Sequence, residues 1–142
     1  MQRGLATLEI VIAVMIIAVL AKVATLNAAR VIDRAELDYE IKRLYSDLRL
    51  VQSMDRISEG DKPTLFINKD KNLYQIFREA ALNNPIREPH ELSYGVTIYY
   101  TPQNKISFAA NGVANIAPDH ITLKSRRGKT KEITFDTVGR MR

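Results

Sequence analysis

Apolar and polar positions divide the chain into three stretches, and the first of them is the most distinctive. From Leu5 to Leu26 the chain has 22 residues, and Glu9 and Lys22 are the only charged ones among them. A helix that rises about 1.5 Å per residue needs roughly 20 residues to cross the hydrocarbon core of a bilayer. The pattern therefore predicts a membrane-spanning helix. A carboxylate inside such a span is costly, so Glu9 indicates a function.

The second stretch continues the helix with an amphipathic pattern. No glycine or proline occurs between Leu5 and Ser58, so no residue forces the helix to stop. Apolar residues recur at spacings of four and three, which is the period of one helix face. They are Leu37, Ile41, Leu44, Leu48 and Val51. The polar residues between them are expected to form a solvated face: Asp38, Glu40, Lys42, Arg43, Asp47 and Arg49. We expect the apolar stripe to pack against a small sheet; a coiled coil is the alternative with the same period.

The third stretch has the pattern of short strands and turns. The glycine and proline of residues 59–63 are expected to end the helix. Alternation and turn residues predict three hairpins. Their strands are 64–68 with 73–77, 96–100 with 105–108, and 121–124 with 131–136. Residues 78–92 hold two prolines and are predicted to be loop, with one helical turn near 79–82. One long N-terminal helix followed by a small antiparallel β-sheet domain is an α+β order of elements.

Composition and charge narrow the functional possibilities. A chain of 142 residues fits one domain plus the anchor. It has no cysteine, which excludes disulfides and thiolate chemistry. Residues 1–119 hold 14 basic and 14 acidic residues, whereas residues 120–142 hold seven basic and two acidic ones. The whole net charge of +5 therefore belongs to the last 23 residues.

Few residues point to catalysis. His90 and His120 are isolated in the sequence, without the spacing of metal ligands, and we expect each at the surface or in a cap. The sequence has no phosphate-binding loop and no G-x-S-x-G nucleophile motif. We therefore expect no enzyme activity, no catalytic residue, no metal and no cofactor.

The start of the chain resembles the class III signal of type IV pilins and pseudopilins. In that family a short basic leader ends in glycine, a prepilin peptidase cuts after it and N-methylates the new first residue, and the fifth mature residue is glutamate. Here Gly4 would precede the cut, Leu5 would become the methylated N-terminus in place of the common phenylalanine, and Glu9 would be the fifth mature residue. The resemblance implies the pilin fold in four parts. They are a leader of residues 1–4, a membrane-spanning and fibre-core helix of 5–26, its amphipathic continuation over 27–58, and a sheet domain of 59–142.

The second half of the chain resembles the GspH/FimT-like group of minor pseudopilins, in which strands and glycines alternate in the same rhythm. The matching segments are Ile106–Phe108, Asn111–Gly112, Ile121–Leu123, Gly128, Ile133–Phe135 and Gly139–Arg140. The resemblance implies a minor structural subunit of a type II secretion or type IV pilus-like fibre. Its partners would be other pilins or pseudopilins, the prepilin peptidase and the inner-membrane assembly platform.

The leader also predicts an orientation. Arg3 is expected on the cytoplasmic side, because basic residues flanking a span stay inside. We expect a single-pass protein of the cytoplasmic membrane with its C-terminal domain outside, which then joins an envelope fibre. In such a fibre the Glu9 carboxylate of one subunit would pair with the new α-amino group of a neighbour and set the register. Two alternatives remain: a secretory signal cut after Val19–Ala21 and a plain single-pass anchor.

The C-terminal tail has the sequence G-R-x-R, with Arg140 and Arg142 at its end. In FimT-like minor pilins of DNA-uptake systems, such a tail is associated with DNA binding. In an extended chain the two arginines lie on one face, about 6.6 Å apart. Four basic residues would widen the patch if the third hairpin lay beside the tail: Arg126, Arg127, Lys129 and Lys131. Binding would be non-specific and salt-dependent. The alternatives are a solvated basic edge strand and a patch that meets an acidic face of a partner pilin.

Overall fold

The computed structural model describes residues 2–55, 62–78, 85–137 and 140–142. Within these residues the chain forms one long helix followed by seven strands, which confirms the predicted α+β class. The helix α1 is Gln2–Asp55. The strands are β1 (Pro63–Asn68), β2 (Leu73–Arg78), β3 (His90–Glu91), β4 (Thr97–Tyr100), β5 (Lys105–Ile106), β6 (Asp119–Lys124) and β7 (Thr130–Phe135).

The strands form two antiparallel sheets rather than the single sheet expected from the sequence. The first sheet has the order β3-β2-β1-β5, and the second has the order β4-β6-β7. Residues 34–142 form a compact unit that contains both sheets and the second half of α1.

The apolar stripe of α1 lies at the centre of the core, as predicted. Its five residues, Leu37, Ile41, Leu44, Leu48 and Val51, are at most 9% exposed. They belong to one cluster with buried apolar residues of both sheets, such as Leu65, Ile76, Ile121 and Ile133. Burying one such side chain stabilises the fold by about 1.5–3 kcal/mol. Because the sheets of the same chain cover the stripe, the coiled-coil alternative is excluded.

The first and third predicted hairpins are confirmed. β1 pairs with β2, and β6 pairs with β7, in each case along all six residues of both strands. Each connecting turn contains a residue with positive φ, Asn72 at 52° and Gly128 at 83°. Such a residue lets the chain reverse within a short loop while keeping the twist of the two strands.

The second predicted hairpin is wrong. β4 pairs with β6 in the second sheet, whereas β5 pairs with β1 in the first. None of residues 101–104, which connect them, has a positive φ, and Pro102 has no N–H to donate. The chain therefore crosses from one sheet to the other at this point instead of turning back on itself.

The predicted loop of residues 78–92 is also partly wrong. Arg78 is the last residue of β2, and His90–Glu91 form the short strand β3, which pairs with β2. The helical turn predicted near residues 79–82 lies outside the described residues. So do residues 56–61, which include most of the segment expected to end the helix.

Candidate functional site

The first candidate site is the apolar first half of α1. Gly4, Leu5 and Glu9 all lie on this helix. Its large apolar side chains between Ile10 and Val23 are 49–65% exposed. The side chains of residues 1–8 and of Leu26 are outside the described part. A continuous apolar surface of this kind marks contact with a membrane or with another protein.

Among the described residues, one helix is long and apolar enough to cross a membrane. The apolar stretch of this helix has no part that is buried inside the chain. The prediction of a helix able to span a membrane is confirmed at this level of length and composition. Glu9 lies near the start of the apolar stretch, and its side chain is exposed.

The second candidate site is the C-terminal tail, which adds an edge to the second sheet beside β7. The N–H of Arg142 donates to the carbonyl of Thr134 at 3.0 Å, and the N–H of Thr134 donates back at 2.9 Å. Met141 is only 5% exposed, whereas Arg140 and Arg142 are exposed. The two arginines therefore share the open side of an extended tail, while the methionine between them enters the core.

Side chains hold the tail in place. The hydroxyl of Tyr45 on α1 donates to the carbonyl of Met141 at 3.3 Å and accepts from the guanidinium of Arg49 at 2.7 Å. The N–H of Arg140 donates to Oδ1 of Asp136 at 2.8 Å. These bonds fix the backbone of the tail and leave the outer parts of its arginines exposed.

The β6–β7 turn, residues 125–129, lies at the opposite end of β7 from the tail. The turn adjoins Thr130 at the start of β7, whereas the tail pairs with residues 134–136 at its end. At about 3.3 Å per residue, four to six residues correspond to roughly 13–20 Å along the strand. The structure therefore does not join the basic residues of the turn and the two arginines of the tail in one compact patch.

The basic residues near this turn have different surroundings. Nζ of Lys131 lies 2.6 Å from Oδ1 of Asp38 on α1, with both side chains about half exposed. This hydrogen bond, aided by the charge of Lys131, lowers the pKa of Asp38. Nζ of Lys124 lies 5.1 Å from the centre of the Tyr99 ring. The side chains of Arg126, Arg127 and Lys129 are exposed.

The sequence pattern does not predict the polar network that joins α1 to residues 85–93. Glu40 and Asp47, assigned above to the solvated face, are 1% and 4% exposed, so that assignment is wrong for both. Oε2 of Glu40 lies 2.8 Å from Nε2 of His90, and Oε1 accepts from the N–H of Ser93 at 3.1 Å. These contacts satisfy the buried carboxylate, as burial of a charge requires.

The second carboxylate of the network is equally well paired. Asp47 accepts hydrogen bonds from the hydroxyl of Tyr74 at 2.9 Å and from the guanidinium of Arg87 at 2.6 Å. Burial, together with the charge of Asp47 and the hydrogen bond to it, raises the pKa of Tyr74. The hydroxyl of Tyr74 thus remains a donor, and the network ties the segment that follows β2 to the helix.

The two histidines differ from each other. The His90 side chain is 13% exposed and lies edge-on to Tyr74, with ring centres 5.2 Å apart. The expectation of a surface or capping residue is therefore wrong for His90. The His120 side chain is 41% exposed and stacks on Tyr100 at 4.7 Å. Within the described residues, no group of three or more His, Cys, Asp or Glu is placed to hold a metal ion.

One signal in the sequence could have revealed the buried acids. Asp33, Glu40 and Asp47 recur every seven residues, and all three are buried. Residues seven apart lie on nearly the same side of a helix. Acidic residues that repeat along one flank of an apolar stripe are thus candidates for burial. Their hydrogen-bond partners are then expected on the elements that cover the stripe.

No protein-family model, curated protein or solved structure matches the chain. The function therefore has to be inferred from the residues of this chain and their geometry.

Proposed function

We propose that the chain is a minor pilin or pseudopilin. In this proposal a prepilin peptidase cuts between Gly4 and Leu5 and methylates the new N-terminus. The subunit is then built into a type II secretion or type IV pilus-like fibre. The observation that carries the proposal is a glycine followed five residues later by Glu9, at the start of an exposed apolar helix. A secretory signal or a plain anchor accounts for the apolar stretch but not for this pair.

The cost of Glu9 in lipid supports the proposal. A carboxylate within a span needs a partner. Cleavage before Leu5 creates an α-amino group on every subunit, so the amine of one subunit can neutralise the Glu9 carboxylate of its neighbour in a fibre. A buried ion pair contributes little more stability than apolar groups of the same size, unless both charges have already left water. A buried charge without its partner, in contrast, is strongly destabilising. Such a pair selects the register of the subunits more than it adds general stability.

The arrangement of the globular part supports the same conclusion. Residues 34–142 have their own apolar core, formed by the second half of α1 and both sheets. This core does not depend on burying the apolar side chains of residues 10–23, which are exposed. The first half of α1 is thus available for lipid before assembly and for neighbouring subunits afterwards.

The proposal is tested by the mass of the purified protein after expression with a prepilin peptidase. We expect a chain that begins at Leu5 and carries one added methyl group, and a full-length chain when the peptidase is absent. A chain that begins after Ala21 would identify a secretory signal. A chain that keeps Met1 with the peptidase present would identify a plain anchor.

A second candidate function is DNA binding by a minor pilin of a competence pilus. It is favoured by the tail, whose two arginines are exposed, while Met141 is buried and three backbone hydrogen bonds tie the tail to Thr134 and Asp136. Arg140→Ala with Arg142→Ala is expected to weaken retention on duplex DNA and to lower the salt slope by about 2. Arg126→Ala with Arg127→Ala removes the same charge far from the tail and serves as the control. If the two pairs weaken retention equally, the tail is not the site.

A further inference from the structure

The β6–β7 turn and its flanks carry the densest charge in the chain. From Lys124 to Lys131, five of eight residues are basic and none is acidic. Asp38 compensates Lys131 at 2.6 Å. The side chains of Arg126, Arg127 and Lys129 are exposed. The turn therefore presents a local excess of positive charge to its surroundings.

Contacts with α1 hold the basic turn beside residues that follow the predicted span closely in sequence. Lys131 contacts Asp38, and Arg34, Leu37 and Lys129 line a groove beside the same contact. Asp38 follows residue 26, the end of the predicted span, by only twelve residues. Twelve residues reach at most about 40 Å, whatever their conformation. The contact with Asp38 therefore ties the turn to the predicted span through a short segment of chain.

An exposed tyrosine stands next to the turn. Residues 93–96 form a tight turn closed by a hydrogen bond from the N–H of Val96 to the carbonyl of Ser93 at 3.1 Å. Its central residues, Tyr94 and Gly95, have φ values of 62° and 73°. A Cβ on Gly95 would lie 3.4 Å from the Cβ of Arg126, which shows that the two turns are in contact. Tyr94 itself is 59% exposed.

Tyr94 is an unexpected residue at this backbone position. Positive φ favours Gly, Asn or Asp, whereas a bulky residue there is strained. Backbone strain that a simple substitution could relieve is characteristic of functional positions. Tyrosine is also enriched where membrane meets water, because its ring is apolar and its hydroxyl is hydrated. An exposed, strained tyrosine beside a basic turn therefore suits a lipid headgroup region.

A third turn extends the same surface. Nδ2 of Asn72 donates to the carbonyl of Val96 at 2.7 Å, which brings the β1–β2 turn to the same end of the globular part. This turn adds Lys69 and Lys71, with Asp70 as its one acid. All three side chains are exposed.

We propose that this end of the globular part binds the anionic headgroups of the membrane in which α1 is anchored. We call it the basic end and define it by Tyr94, Arg126, Arg127 and Lys129. A Lys or Arg near an anionic bilayer gains about fivefold in affinity. Tethering by twelve residues keeps the local lipid concentration high, which favours lipid over a nucleic acid that must come from solution. The contact would hold the globular part against the membrane until the subunit enters a fibre. The inference rests on the proposed function only in requiring that α1 spans a membrane.

The chain has no tryptophan, so a single indole can report on the contact. Full-length Tyr94→Trp is reconstituted in nanodiscs that contain brominated lipids, either neutral or mixed with phosphatidylglycerol. We expect its emission to be quenched in the anionic discs, and much less in neutral discs or at high salt. Adding Arg126→Gln, Arg127→Gln and Lys129→Gln should weaken the contact by about two orders of magnitude, since each residue contributes about fivefold.

Two controls come from the chain itself. Ala110→Trp places the indole at an exposed site near Gly112, whose carbonyl accepts from Gln52. Gln52 lies fourteen residues beyond Asp38 on α1, so this indole should not be quenched. Arg140→Gln with Arg142→Gln removes charge from the tail and should leave the quenching of Tyr94→Trp unchanged.

The outcomes separate the inference from the proposed function. Equal emission of Tyr94→Trp in anionic and neutral discs would overturn the lipid contact alone. A response to added duplex DNA but not to anionic lipid, abolished by the same three substitutions, would make the basic end a nucleic-acid site. A chain that does not stay in the discs at all would overturn the anchor, and the inference with it.

Discussion

Two aspartates on α1 allow the energetics of the fold to be tested by a matched comparison. Asp38 and Asp47 each lie 2.6 Å from a basic side chain, Lys131 and Arg87 respectively. Their side chains are 41% and 6% exposed. Both are interior residues of the same helix, so replacement by alanine improves helix propensity equally. The difference between Asp38→Ala and Asp47→Ala therefore reports mainly on burial.

The magnitude follows from the contacts. The Asp38–Lys131 pair is exposed and screened by water, so its loss should cost about 0.2–1 kcal/mol. Arg87 is 58% exposed, and its pair with Asp47 is discounted in the same way. Tyr74, however, is 2% exposed and would lose the acceptor of its hydroxyl, which costs about 1–3 kcal/mol. Asp47→Ala should therefore lower the free energy of unfolding by about 2 kcal/mol more than Asp38→Ala.

The assay is denaturant unfolding of the detergent-solubilised full chain, followed by the near-ultraviolet circular dichroism of its six tyrosines. A Tyr74→Phe background supplies the control, because it has no hydroxyl to leave unpaired. In that background the cost of Asp47→Ala should fall toward that of Asp38→Ala. The account of the network would be refuted if the two aspartate substitutions cost the same free energy in the native background. It would also be refuted if Tyr74→Phe left the cost of Asp47→Ala unchanged.

Three further predictions concern single residues. The pKa of Asp38 is lowered in the folded state. Its contribution is therefore present above about pH 4 and lost as the pH falls through that lower pKa, so the stability gap between native chain and Asp38→Ala should close in acid. The pKa of Tyr74 is raised. The contribution of Tyr74 to stability is full below about pH 10 and declines as the pH rises toward the folded pKa. On transfer to alkaline pH, the Tyr74→Phe chain should therefore lose less stability than the native chain. Tyr94→Asn should raise the free energy of unfolding by about 1 kcal/mol, measured in denaturant, by relieving strain at positive φ; a loss would show that the tyrosine packs usefully.

The sequence predicts those features of the fold that depend on local pattern. The spacing of Leu37, Ile41 and Leu44 predicts a buried helix face, and the structure buries it. The short polar loops between β1 and β2 and between β6 and β7 predict hairpins, because Asn72 in the first and Gly128 in the second accept positive φ. In both cases the information lies within a few residues of the element that it determines.

Features that depend on distant partners are not predicted. Glu40 resembles any polar residue of a solvated helix face, and only the packing of His90, 50 residues away in sequence, makes it a buried acceptor. The pairing of β5 with β1 instead of β4 likewise depends on which sheet offers a free edge. The location of the β6–β7 turn near Asp38, away from the tail, follows from strand register and the Lys131 contact.

The candidate sites differ in the same way in how far the sequence predicts them. The pair Gly4 and Glu9 is visible in the sequence, because a glycine and a costly acid at the start of an apolar stretch need no tertiary context. The basic end is visible only in the structure, because the turn that holds Tyr94 touches Arg126 through Gly95, which lies 31 residues before Arg126 in the sequence.

The central claim is that Glu9 is tolerated in an apolar helix because the N-terminal amine of a neighbouring subunit neutralises it. The most direct measurement is the amount of Glu9→Leu chain in purified fibres, relative to native chain expressed at the same level. Asp38→Ala, which removes an exposed acid from the same helix, is the control. We expect Glu9→Leu to be cut after Gly4 and kept in the membrane but nearly absent from fibres, while Asp38→Ala is incorporated normally. Incorporation of Glu9→Leu at the native level would contradict the account.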